Sequence, residues 1–195
     1  MERQHNSYSR FAVLLHWAIA LLIFCLLGLG IVMTRLPEKE IALMFKLYQL
    51  HKSLGISVLL LSIIRLLWRF STKQPVAAPG LKLEQRMAKI AHISLYILAF
   101  LTPLLGWALV SASPYNIPTL IFGVVEWPHI SFFAALDNKE AAESILSKIH
   151  EIAAFTLLFL ALLHMGAALR HHFVLKDNTV SRMIPFLNRN NKSGP

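Results

Sequence analysis

Residues 149–175 read IHEIAAFTLLFLALLHMGAALRHHFVL. A bilayer core of about 30 Å is crossed by a helix of about 20 apolar residues, and this stretch is long enough. It is apolar on all faces, so length rather than a periodic stripe decides the reading. It also carries two histidines, His150 and His164, where ionisable side chains are costly unless paired or functional. At 1.5 Å per residue these two stand about 21 Å apart along the axis, and 14 steps of about 100° return them to within about 40° of one face. One span thus offers two imidazoles on one side, near opposite edges of a membrane.

Working outward, residues 11–33, 45–70 and 88–111 pass the same length test. The 195-residue chain is 56% hydrophobic and 15% charged, with a mean hydropathy of +0.57, which excludes an ordinary soluble domain. The expected fold is an all-α membrane protein: a four-transmembrane-helix up-down bundle in a single domain over 1–195. Its spans are 11–33, 45–70, 88–111 and 149–175. The first apolar run exceeds a signal-peptide core and lacks a small-x-small site before Thr34, so it is read as retained. The outer loop, residues 112–148, is apolar but broken by Pro118, Gly123 and Pro128. It is expected to fold over the bundle end or to lie in the interface, where Trp127 suits it.

Of the 19 basic residues, only Arg35, Lys39, Lys46, Lys52, Lys139 and Lys148 fall in the first and third loops; the rest fall at the termini and in the second loop. The positive-inside bias therefore predicts that both termini are cytoplasmic. The net charge of +9 then reflects cytoplasmic ends and contact with membrane lipid, with no nucleic acid required. Cys25 has no partner for a disulfide and reads as a small core residue, and no C-x-x-C-H motif for covalent haem attachment occurs.

Of nine histidines, His5, His129, His171 and His172 read as solvated or interfacial. The up-down topology sets the depth of the others. His16, early in the first span, matches His164, late in the fourth, and His51, early in the second, matches His150. Each pair would give an iron two imidazole ligands and no open position, which suits electron transfer rather than oxygen chemistry. Small residues follow each at i+4: Ala20, Gly55, Ala154 and Ala168. His92 is followed by Tyr96, so it reads as a hydrogen-bonded or quinone-lining residue rather than a ligand. Arg10, Arg65 and Arg69 read chiefly as positive-inside anchors, with haem propionates as the sharper alternative. Gly28, Gly30 and Gly106 read as helix-packing residues, Pro103 as a mild kink, and Trp17, Trp68 and Trp107 as interface or core fillers.

The sequence also resembles a known family. Tyr8-Ser-Arg with Leu15-His-Trp17, His51-Lys-Ser-Leu-Gly55 with Arg65-Leu-Leu-Trp-Arg69, and His164 followed by His171-His-Phe and Lys176-Asp-Asn-Thr are similar to the bacterial cytochrome b561 family over nearly the whole chain. That family resembles the membrane cytochrome subunits of formate dehydrogenases and hydrogenases. The resemblance implies two non-covalent haem b groups on His16, His51, His150 and His164, with His16 paired to His164 and His51 to His150. It implies an oxidoreductase or electron carrier of a bacterial inner-membrane respiratory chain, with ubiquinone as redox partner. The Lys-Asp-Asn-Thr tail resembles the branch that oxidises superoxide, and Lys46 and Lys52 are the candidates to steer that anion, opposed by Glu38, Glu40 and Glu151. The alternatives are an anchor subunit for a redox partner protein, such as a dehydrogenase or hydrogenase, and a histidine-lined metal transporter.

Overall fold

A computed structural model describes residues 8–73 and 81–184. His5, Arg3, most of the Pro-containing linker between the second and third spans, Arg189 and Lys192 lie outside the described residues. Four long helices carry the chain: α1 (Arg10–Met33), α2 (Ile41–Ser71), α3 (Lys82–Ala112) and, after a short α4 (Ser131–Ala134), α5 (Lys139–Arg170). All four are long and apolar enough to cross a membrane. The helices overrun the apolar windows because a span is bounded by where the chain turns polar, whereas a helix is bounded by its caps. α5 begins ten residues before the window at residue 149, where Asn138 Oδ1 accepts from Ala141 N–H at 3.0 Å. Ser9 Oγ does the same for α1, accepting from Ala12 N–H at 3.2 Å. These side chains satisfy amide donors that the first turn leaves open.

The helices meet through small side chains. Ala99, Ala108 and Ala112 of α3, Ala153 of α5 and Ser53 of α2 are buried, whereas Leu14, Leu21, Phe155 and Phe159 stand largely exposed. That inversion of the soluble pattern belongs to a bundle solvated by lipid: small residues bring backbones together, and bulky ones face acyl chains. α3 packs most extensively on α5, α1 on α2 and α2 on α3, whereas α1 and α5 scarcely touch. The bundle therefore has one thin seam, between α1 and α5.

The loop of residues 112–148 folds over one end. Strands β1 (Thr119–Ile121) and β2 (Val125–Trp127) pair antiparallel, with Thr119 opposite Trp127 and Ile121 opposite Val125. Phe122 and Gly123 both take positive φ, 48° and 76°, and Val124 N–H bonds Ile121 C=O at 3.0 Å, the geometry of a primed hairpin turn. α2 holds this hairpin in place. Gln49 Nε2 donates to Pro118 C=O at 2.9 Å, Leu120 N–H donates to Gln49 Oε1 at 3.1 Å, and Phe122 N–H donates to Ser53 Oγ at 2.9 Å. We call this the hairpin end.

At the opposite, terminal end α5 passes into a π-turn (His171–Leu175), and Lys176 closes it in the left-handed region with φ 53°. The tail then folds back to α1, where Trp17 Nε1 donates to Met183 C=O at 2.9 Å. Arg170 pairs with Glu84 of α3 at 3.2 Å.

Candidate functional site

Two histidine pairs face each other across the bundle. His16 of α1 and His164 of α5 have ring centres 6.3 Å apart, with planes at 78°; His51 of α2 and His150 of α5 are 6.4 Å apart at 75°. The helix depths that the up-down topology assigns to these residues are thus met by close approach. A metal between two imidazoles needs about 2 Å to each nitrogen and roughly 1.1 Å more to each ring centre, about 6.2 Å in all. Both pairs have that separation.

His92 lies at the terminal end as well, with its ring centre 5.3 Å from that of His164. That is an edge contact between rings, too short for a metal held coaxially between them. Among the described residues, no three His, Cys, Asp or Glu side chains converge as a metal cluster. Among the described residues the imidazoles approach each other in pairs, with no four-ligand cage of the kind typical of structural zinc.

The surroundings fit each ring. His150 Nδ1 lies 3.0 Å from the carbonyl of Thr102 in α3, so Nδ1–H donates and Nε2 keeps its lone pair. A metal-binding histidine typically fixes its tautomer and ring orientation by this kind of bond. Gly106, one turn along α3 from Thr102, makes the approach possible: a Cβ there would lie 3.1 Å from His150 Cε1. At Gly30 a Cβ would lie 3.6 Å from His51 Cε1. Nδ1 of His51 is buried without a hydrogen-bond partner, so no protein group occupies it. The glycines read from sequence as packing residues therefore sit against the hairpin-end pair. Their role is invisible in sequence, because the partner ring lies on another helix.

At the terminal end Arg65 ties three helices together. Its Nη1 donates to Ala12 C=O of α1 at 3.0 Å and its Nε to the Tyr96 hydroxyl of α3 at 3.1 Å. Its guanidinium carbon lies 5.9 Å from the centre of the Tyr96 ring, and that of Arg69 lies 5.6 Å away. Tyr96 is thus a partner for two arginines. Three of the four tryptophans use their indole N–H groups as fasteners: Trp17 to the tail, Trp68 to Ser9 Oγ at 2.9 Å, and Trp107 to Pro128 C=O at 2.8 Å. Lys52 donates to Pro118 C=O at 3.2 Å and Lys148 pairs with Glu151 at 2.8 Å, so three of the charges near the hairpin end are engaged locally.

His171 departs most from its sequence reading. Its Nδ1 lies 2.5 Å from Asp177 Oδ2, and both side chains are only about a quarter exposed. Asp177 Oδ1 accepts from Thr179 N–H at 2.8 Å. Burial alone would raise the Asp177 carboxyl, but hydrogen bonds from Thr179 and His171 outweigh it and hold the group below its ordinary value.

The paired histidines sit in a chain that is similar to known proteins over nearly its whole length. A family described as prokaryotic cytochrome b561 matches residues 7–186. The chain belongs to this family. It is 30% identical over 183 residues to cytochrome b561 homolog 2 of Escherichia coli (strain K12), covering 92% of this chain and 93% of the relative. Cytochrome b561 homolog 1 of the same organism is 32% identical over 181 residues, 92% and 98% of the two chains. A protein of Yersinia pestis named probable superoxide oxidase CybB is 30% identical over 183 residues, 93% and 97% of the two. Membership makes this chain a multi-pass membrane cytochrome of the b type, a haem b binder that works in electron transfer.

Proposed function

We propose that the chain is a two-haem cytochrome b of a bacterial inner membrane, with both termini cytoplasmic, exchanging electrons with ubiquinone. His16 and His164 hold one haem b at the terminal end; His51 and His150 hold the other at the hairpin end. The observation that carries this reading is the pair of separations, 6.3 and 6.4 Å, in a chain of a membrane cytochrome family. Haem b held by these histidines would supply a one-electron couple.

The protein's own part is positional. α5 contributes one ligand to each site and spaces them about 21 Å apart along its axis. The Thr102 carbonyl fixes the tautomer of His150, Gly106 and Gly30 admit the rings, and Arg65 clamps α1, α2 and α3 around the terminal-end pair. The test is purification after expression with ample haem. A red protein with reduced bands of low-spin b haem and two haems per chain by pyridine haemochrome is expected. A colourless chain, or one haem per chain, would overturn the reading.

For the electron donor, superoxide is favoured by the name of the Yersinia pestis relative together with the Lys176-Asp-Asn-Thr tail. Enzymatically generated superoxide should then reduce the cytochrome, and superoxide dismutase should abolish that reduction. Unchanged reduction in the presence of the dismutase would exclude superoxide as donor.

A further inference from the structure

Two buried nitrogens in the hairpin-end loop take no part in holding either histidine pair. Trp127 Nε1 and His129 Nε2 are inaccessible to solvent and, among the described residues, neither has a hydrogen-bond partner. An indole nitrogen can only donate, and a buried donor without an acceptor is costly and uncommon. The surrounding structure holds both in place. The chain is extended from β2 to Ile130, which has φ −71° and ψ 111°. Side chains alternate along such a run, so Trp127 and His129, both half-buried, share one side and the exposed Pro128 takes the other. α3 ties the backbone on either side of His129. Trp107 Nε1 donates to Pro128 C=O at 2.8 Å, and Ile130 N–H donates to Ser111 Oγ at 2.9 Å. Ser111 is 1% exposed, and its hydroxyl donates to Trp107 C=O at 2.8 Å. The rings of Trp107 and Trp127 stand 5.5 Å apart. Trp107 follows Gly106, against which the His150 ring lies. The anchoring residues Trp107 and Ser111 are one and five residues beyond Gly106, so this stretch meets α3 about 2 to 8 Å further towards the hairpin end.

We propose that Trp127 and His129 bind a propionate carboxylate of the haem held by His51 and His150. The inference rests on the two-haem reading above and adds the polar contact at the outer rim of one haem. Haem b is apolar except along the edge that carries its two propionates. Turning that edge towards the bundle end keeps the apolar edges among the helices and brings the carboxylates to the level of the loop. An ionised carboxylate only accepts, and burying one without donors is costly. Trp127 supplies Nε1–H, and His129 supplies a second donor with its proton on Nε2. A hydrogen bond to an ionised acceptor is roughly twice as strong as one between neutral groups. Two nearby lysines are already committed, Lys52 to the Pro118 carbonyl and Lys148 to Glu151. Uncharged donors in a strand clamped to α3 therefore take the part that a lysine or arginine would otherwise play. Because α3 fixes the strand beforehand, little ordering is left to the moment of binding.

The test uses the purified holoprotein and its variants Trp127→Phe, His129→Leu and His129→Gln, the last of which keeps an uncharged N–H donor. Resonance Raman spectra should show shifted propionate bending bands in Trp127→Phe and His129→Leu, and bands close to wild type in His129→Gln. Transfer of haem to excess apomyoglobin should quicken roughly tenfold for each donor lost, and for one of the two haems only, the scale of one hydrogen bond to a charged group. Redox titration should move that same haem to lower potential. The donors spread the carboxylate's charge, so their loss leaves more negative charge near the iron and favours the ferric state. With His129→Leu added to His51→Ala, the remaining low-spin component should stay where it is; its movement would assign the residue to the other haem and overturn the proposal. Propionate bands and haem-loss rates unchanged in both Trp127→Phe and His129→Leu would overturn it too, leaving a trapped water as the partner of the two nitrogens and the two-haem reading intact. Should His129→Leu fail to fold, Trp127→Phe carries the same comparison. A wild-type chain with one haem or none overturns the two-haem reading itself.

Discussion

A methyl group at position 106 would sit 3.1 Å from His150 Cε1, closer than such contacts normally come, whereas one at position 28 would meet nothing within 4 Å. Ordinarily Gly→Ala within a helix stabilises by roughly 0.5–1 kcal/mol. Gly28→Ala should follow that rule, and Gly30→Ala, with an ordinary 3.6 Å contact to His51, should be close to neutral. Gly106→Ala should reverse it, because the added Cβ displaces the ring that bonds the Thr102 carbonyl. Thermal melts in detergent with haem content measured in parallel give the order. A Gly106→Ala protein as stable as Gly28→Ala, with full haem, would mean that the His150 ring moves freely. The neighbouring histidine makes an opposite prediction. His92 is only 5.3 Å from His164 by ring centres, so His92→Ala should leave two haems per chain, and loss of one would show the ligand set to be wrong.

The hairpin depends on contacts between residues about 70 positions apart in the chain. Ser53 Oγ, nearly inaccessible at 1% exposure, accepts from Phe122 N–H and donates toward Gln49 and Leu120 carbonyls at 2.8 and 3.2 Å. It thereby anchors a phenylalanine held at positive φ, a conformation that costs a non-glycine residue on the order of 1 kcal/mol. Ser53→Ala leaves the Phe122 amide unpaired and should cost about 1–3 kcal/mol. Gln49→Ala frees the Leu120 amide, and because both side chains hold β1, the double variant should cost less than the sum of the two. Hydrogen exchange of amides 119–123 should quicken in each single variant; unchanged protection would mean that β1 is held by its pairing with β2 alone. These contacts also explain what could be read from sequence. The four spans follow from apolar length, a property of each segment by itself, and so do the depths that bring His16 to His164 and His51 to His150. The hairpin, the Gly106–His150 contact and the Arg65–Tyr96 bond each need a second element whose facing residue no local pattern names. Tyr96, read from bulk as a reason to set His92 aside, is in the fold a partner of Arg65. His171, read as solvated or interfacial, gains its partner only because a π-turn brings Asp177 back beneath it.

Across the whole molecule, the two histidine pairs share only α5. The terminal-end pair draws its second residue from α1 and the hairpin-end pair from α2, and these partners enter the bundle from opposite ends. With sites about 21 Å apart along α5, removal of one ligand should not reach the other pair, since effects at separated sites without shared partners are close to independent. His51→Ala should therefore empty the hairpin-end site or convert it to high spin, and His164→Ala should do the same at the terminal end, each variant keeping one low-spin haem. Redox titration should then show a single low-spin component in each. The components in the two variants should correspond to different members of the wild-type pair. Each remaining haem should still be reducible by a membrane-permeant reductant, whereas electron exchange between partners on opposite faces should fail in both. A substitution that strips both haems from a folded chain, or His51→Ala perturbing the same component as His16→Ala, would break the two-depth arrangement. Independence here comes from the way the four helices pack. Because α1 packs on α2 and α5 on α3 while α1 and α5 scarcely touch, each helix of the terminal-end pair keeps its own neighbour when the pair is lost, and α2, α3 and the hairpin keep their packing.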